Sequence, residues 1–152
     1  EIPLRLVGSE MCIRDSFQPA MGYLYRALAL QQSDPLLCLL CGVASLGRST
    51  NRQVDNRNHT IIQGMALFTH YAELRGDIPE VDYNFARAYH HLNLVHLAVP
   101  RYERVLERAS SKASKGTFDM AREAAFNLAM IFTQSGSPDL ARHLYRTWLA
   151  VE

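Results

Sequence analysis

DYNFARAYHHLNLVHLAVPRYERVLE, Asp82 to Glu107, is the stretch whose reading decides the fold. Phe85, Tyr89 and Leu92 stand at i, i+4 and i+7, the spacing of one apolar stripe on an amphipathic helix. His90, His91 and Asn93 interrupt it, and a second stripe runs through Leu94, Ala98, Tyr102, Val105 and Leu106. Two helices joined this tightly have to fold back antiparallel and bury their stripes on each other. Ala86 and Ala98 are small enough to let the backbones approach. Asn93, at the turn, tolerates the left-handed conformation that ends a helix.

The pattern returns further on. NFARAYHHLN from Asn84 aligns with NLAMIFTQSG from Asn127, pairing Phe85 with Leu128, Ala86 with Ala129, Tyr89 with Phe132 and Asn93 with Gly136. Ala98 then pairs with Ala141, Tyr102 with Tyr145 and Val105 with Trp148, all by a constant offset of 43 residues (84 to 127, 98 to 141). One helical hairpin cannot close its own core, so repeated hairpins stack. The order of aromatic, large apolar and small residues resembles the tetratricopeptide repeat. Armadillo and HEAT repeats are the rivals, because the step exceeds the roughly 34 residues of a tetratricopeptide unit. The excess lies in the polar linker Ala109 to Thr117 (ASSKASKGT), so the reading is a tetratricopeptide array with an inserted loop. The expected fold is all-α, antiparallel helix hairpins stacked as a solenoid, with hairpins at about 80–108 and 117–151.

Length and composition narrow the class. A chain of 152 residues is one domain or a piece of an array. With 48% apolar and 20% charged residues it is an ordinary globular segment. A net charge of +1 offers no bulk attraction for nucleic acid, and the six histidines add charge only in acid. The longest apolar run, Pro35 to Gly47, falls short of the ~20 residues that span a bilayer. No basic-then-apolar leader is seen, and three cysteines without a framework fit a reducing compartment. The chain does not begin with Met and reads as a fragment. Residues 1–16, EIPLRLVGSEMCIRDS, resemble library linker translated as protein, so they are expected to be non-native and Cys12 to carry no meaning. Residues 17–152 are then the native helical repeats.

In chain order, Ala20, Tyr23, Leu24, Ala27 and Leu28 read as the second helix of an upstream pair. Asp34 and Pro35 form a cap and first helical position. Leu36 to Leu46 is apolar nearly all round, which predicts burial between neighbours. A helix through Ile61, Ile62, Met65, Phe68 and Tyr71 ends at Arg75-Gly76. Pro100 predicts that the second helix of the central hairpin starts late or bends. Thr117 and Asp119, then Ser137-Pro138-Asp139, read as further helix starts.

Chemistry finds little to build on. Cys38 and Cys41 form a C-x-x-C inside an apolar helix, and buried cysteines acting as small hydrophobes explain them best. His90 and His91 are adjacent and point apart, while His96 lies past the turn, whereas zinc needs three or four converging ligands. No nucleophile elbow, phosphate loop or H-E-x-x-H is present. No catalytic residue, metal or cofactor is expected. The basic run Arg101, Arg104, Arg108, Lys112 and Lys115 is interleaved with Glu103 and Glu107, and a solvated face with ion pairs explains it more simply than phosphate binding. The expected binding surface is the groove lined by the first helices of the pairs. Its candidates are Glu80, Tyr83, Arg87, His90 and His91 in one repeat, with Glu123, Phe126, Met130 and Gln134 in the next. Tyr83 and Phe126 would serve equally well as packing between repeats. The groove lacks the Lys/Asn cluster that clamps a terminal carboxylate in co-chaperone repeats.

NFARAYHHLNLVHLAVPRYERVLE followed by DMAREAAFNLAMIFTQSGSPDLAR is similar to the C-terminal region of the tetratricopeptide subunits of general transcription factor IIIC, TFIIIC. Asn58-His59, Gln63-Gly64 and Leu74-Arg75-Gly76 extend the similarity, which covers roughly Leu36 to Glu152. Ala86 and Ala129 stand where that family often has Gly, which leaves the packing intact. The resemblance implies a nuclear, non-catalytic scaffold for RNA polymerase III transcription. Its partners would be other TFIIIC subunits and TFIIIB components, with DNA approached only through the complex and no membrane or small-molecule substrate. A generic adaptor for a peptide or helix of another partner is the alternative, and a metal-dependent enzyme a distant third.

Overall fold

The computed structural model describes residues 19–51, 54–110 and 120–150, and every regular element among them is helical. Helix α1 covers residues 19–30, α2 Pro35–Ser49, α3 Arg57–Arg75, α4 Pro79–His91, α5 Val95–Ser110, α6 Ala121–Gln134 and α7 Pro138–Leu144. The last runs into a wider π turn, Tyr145–Leu149. The chain divides after Gly76 into two compact units. The expected non-native segment 1–16, Lys112 and Lys115 of the basic run, and the expected helix start at Thr117 and Asp119 lie outside the described residues.

In the first unit Asp34 caps α2, its carboxylate accepting from the backbone N–H of Leu36 at 2.8 Å, with Pro35 at the first helical position. Cys38 and Cys41 are fully buried, and burial pushes both thiols up, as expected of cysteines that pack as small hydrophobes. The expectation that α2 is covered all round does not hold: Leu36, Leu40 and Val43 are 58%, 41% and 47% exposed. One face of α2 packs against α3 and Tyr25 of α1 bonds to Ser45, while Leu36, Leu40 and Val43 stay partly open among the described residues. The phase of α3 also differs from expectation. Thr60, Gly64, Phe68 and Tyr71 turn inward, whereas Ile62 is 69% exposed. In α1 it is Met21 that is buried and Tyr23 that faces out.

Glycine explains that phase. A Cβ on Gly42 would lie 2.8 Å from Cδ2 of Phe68 and 3.3 Å from the carbonyl oxygen of Gly64, while one on Gly64 would meet Cδ2 of Leu46 at 2.9 Å. The two helices therefore touch backbone to backbone, and only the absence of side chains allows it. Gly42→Ala is expected to lower stability by about 1 kcal/mol. Overpacking of roughly 1–3 kcal/mol outweighs the roughly 1 kcal/mol that alanine gains in a helix. The urea midpoint, at unchanged slope, measures this. A raised midpoint would mean that the helices separate without cost.

The second unit consists of two hairpins whose turns make the same backbone hydrogen bonds at the 43-residue offset seen in the sequence (93 to 136). Asn93 has φ 60° and Gly136 φ 79°, each in the left-handed region. At the first turn the N–H of Leu94 donates to the carbonyl of Tyr89, and that of Asn93 to His90. At the second, Ser137 donates to Phe132 and Gly136 to Thr133. Both are Schellman closures, which satisfy the last carbonyls of a helix and reverse the chain in two residues. In the helices so joined Ala86, Ala98, Ala129 and Ala141 are all nearly or wholly inaccessible and belong to one core. α5 also packs on α6. One core thus runs through both hairpins, from Tyr83 and Tyr102 through Ala124, Ala125 and Leu128 to Leu144. These are stacked helix pairs of the tetratricopeptide kind.

Two expectations need correction here. Pro100 does not bring the late start that was one of its two expected outcomes: α5 is already helical from Val95 and carries the proline inside it. The hydrogen bond that Pro100 cannot donate would have gone to the carbonyl of His96, and both residues are exposed. Ser137 precedes α7 without a side-chain capping bond, and the helix start there rests on Pro138.

Candidate partner-binding face

Helix α4 positions the face, and its first turn is anchored from beneath. Asp82 follows Pro79 by three residues, where a carboxylate also favours the helix N-terminus. Its side chain is only 2% exposed. Arg101 donates to one carboxylate oxygen at 2.6 Å, and Arg104 and Arg108 reach the other at 3.3 and 3.7 Å. Arg108 and Arg104 also pair with Asp77 at 2.6 and 3.0 Å. Arg101 further lies 5.0 Å over the ring of Phe85, a cation–π contact. The basic run was expected to find its partners among the interleaved Glu103 and Glu107. Its arginines instead reach across the hairpin to Asp77 and Asp82, which bolts α5 to the start of α4 and fixes what α4 shows on its other side.

That side carries Tyr83, Arg87, His90 and His91. Tyr83 is buried, edge-on to Tyr102 with ring centroids 6.1 Å apart, and its hydroxyl accepts from Nδ2 of Asn127 on α6 at 3.3 Å. The packing role is therefore filled, yet Tyr83 also lines a cleft of about 410 Å³ between the first helices, together with Arg87, Arg122, Glu123, Phe126, Asn127 and Leu149. A second cavity, of about 240 Å³, is walled by Arg87, His90, His91, Tyr102 and Asn127. The structure thus gathers Tyr83, Arg87, His90, His91, Glu123 and Phe126 around two hollows that share Arg87 and Asn127. Glu80 is half-buried, Met130 and Gln134 are exposed, and none of these three lines either hollow. Phe126, 48% exposed, is the large apolar residue on this surface. Asn127 and Arg122 escaped the sequence reading. Asn127 was visible as the repeat mate of Asn84, but nothing in its spacing marked it as the link between first helices.

The electrostatics of the face are mixed. Burial, then the nearby Arg87 and His91, hold His90 below the usual histidine range. Its folded pKa lies under its unfolded one, so protonation favours the unfolded chain, and stability falls as pH drops through the histidine range. Asp77 acts in the same sense at lower pH: the hydrogen bond from Arg108 holds its carboxyl below the usual carboxylate range. That contribution is present above the unfolded pKa and is lost as pH falls through the lowered one. His90→Gln should therefore flatten the fall in unfolding midpoint between about pH 7 and 5, and Asp77→Asn the fall below about pH 4. Unchanged slopes would contradict both assignments.

Among the described residues no group of three or more His, Cys, Asp or Glu is placed to hold a metal ion, and no helix is long and apolar enough to cross a membrane. No family model matches the chain. Three proteins are similar to it. Transcription factor tau subunit sfc4 of Schizosaccharomyces pombe is 35% identical over 95% of this chain and 16% of its own length. General transcription factor 3C polypeptide 3 of Homo sapiens is 29% identical over 96% of this chain and 17% of its own, a match that takes in part of residues 1–16. Transcription factor tau 131 kDa subunit of Saccharomyces cerevisiae is 32% identical over 89% of this chain and 13% of its own. The chain spans less than a fifth of the length of each. With its paired helices and matched turns, this chain is similar over nearly all of its length to a part of these tau and general transcription factor 3C subunits.

Proposed function

We propose that the chain is part of a non-catalytic tetratricopeptide scaffold in the RNA polymerase III factor TFIIIC, and that it mediates protein–protein assembly at class III promoters in the nucleus. Its partners are other TFIIIC subunits and TFIIIB components, and DNA is met only through the complex. The observation that carries this reading is the depression between α4 and α6, built from two successive repeats on a frame whose charged groups are largely consumed in holding the hairpin together. The likeness to tau and factor 3C subunits supports the choice of complex. Such a surface suits an extended or helical segment of another polypeptide. Affinity purification of the tagged chain from nuclear extract, with mass spectrometry of what is retained, tests it. TFIIIC subunits and TFIIIB components should be enriched, and Arg87→Glu with Phe126→Ala should release them. Retention of unrelated proteins alone would replace the proposal with a general peptide adaptor.

A further inference from the structure

The arginines of α5 turn to Asp77 and Asp82, and that choice of partners leaves the glutamates of the same helix over. Glu103 and Glu107 stand one turn apart, both are exposed, and neither makes an ion pair among the described residues. They line a groove of about 470 Å³ formed by α5, α6 and α7. Phe132 is half-buried there and Leu140 is 53% exposed, so apolar surface stays in contact with water above a floor of Leu106, Leu128 and Leu144. No lysine or arginine lines the groove, and His143 is its only other ionisable group. Arg142, next to it on α7, is turned to Asp139 at 2.9 Å. The groove shares no lining residue with the two hollows on the α4–α6 face.

An apolar trough bordered by two unpaired carboxylates on successive turns complements a segment that carries large apolar side chains beside lysines or arginines. The apolar groups would leave water against Leu140 and Phe132, and the cations would meet the glutamates. An acidic segment would be repelled, and an uncharged one would strip water from both carboxylates without replacing it. We propose that this groove docks a basic amphipathic segment of a partner polypeptide, with an apolar side chain seated against Leu140 and Phe132 and two cations, one turn apart, on Glu103 and Glu107. It is a second surface, independent of the α4–α6 face, and its occupancy adds to contacts there without replacing them.

The test titrates isotope-labelled chain with the blocked peptide AKLAAKLA, whose lysines and leucines each recur four residues apart, and with AELAAELA, following the methyl signals of Leu140 and Leu144 by NMR. The lysine peptide should shift them and bind roughly tenfold or more tightly than the glutamate peptide. Glu103→Gln and Glu107→Gln should each weaken it by roughly two- to fivefold, the range of exposed ion pairs, and Leu140→Ala by roughly tenfold. All three residues are exposed, so the urea midpoints should not move and lost folding cannot account for lost binding. Lysine-dependent binding at Leu140 supports the groove whether or not TFIIIC subunits co-purify with the chain. Equal binding of the two peptides would overturn the proposal. So would undiminished binding by the chain carrying both glutamine substitutions, or shifts that fall on Asn127 and not on Leu140. Two other occupants would also overturn it. If the Leu140 signal moves with chain concentration in the absence of peptide, a second copy fills the groove. If Lys112→Gln with Lys115→Gln moves it as far as the peptide does, residues 111–119 of the chain itself fill it.

Discussion

Asp82→Ala will cost the chain about 2–3 kcal/mol of stability, the largest loss expected from any charged residue in it. Breaking a buried ion pair from one side costs roughly 3–5 kcal/mol when the stranded partner stays dry. Here the side chains of Arg101, Arg104 and Arg108 are 36%, 45% and 25% exposed and regain some hydration, which lowers the figure. Single arginine-to-alanine changes should cost less than Asp82→Ala, because each leaves the carboxylate with two cations. Their effects should not add, since all three share one partner. Urea unfolding of the four variants and one double variant measures this. Equal losses for Asp82→Ala and any single arginine variant would show that one pair carries the whole interaction.

Tyr102→Ala will cost about 3–5 kcal/mol, the range for a large aromatic removed from a closed site. Tyr102 is wholly buried where the two hairpins share a core, against Tyr83 and His90. Its repeat mate Tyr145 is 40% exposed and lies in the π turn, so Tyr145→Ala should cost less than about 1 kcal/mol. The same residue type at matching repeat positions thus separates local sequence from the packing that surrounds it. Similar losses at the two positions would mean that Tyr102 owes its stabilisation to its own hairpin, not to the junction with α6.

The contrast between those tyrosines marks what the sequence could and could not reveal. Both turns were legible, because Asn93 and Gly136 are residue types that tolerate positive φ and each falls just after an apolar stripe. The burial of Ala86, Ala98, Ala129 and Ala141 was legible for the same reason: small residues at helical spacing have few other uses. The cap at Asp34 followed from the proline after it. The ion-pair hub was not legible. Asp82 lies nineteen positions from Arg101, and local spacing favoured the nearer glutamates. The inward phase of α3 was hidden because its contact residues include a glycine, which hydrophobic periodicity does not register. Periodicity could not separate the groove from the core either, since Tyr83 serves both.

The central claim is that the face shared by α4 and α6 grips another polypeptide while α5 and α7 hold the frame. Hydrogen–deuterium exchange on the chain, free and within assembled TFIIIC, tests it most directly. Added protection in the complex should concentrate on residues 83–91 of α4 and 122–130 of α6, and should fade in the Arg87→Glu, Phe126→Ala variant. Protection confined to α5 and α7, with those two stretches unchanged, would contradict the claim.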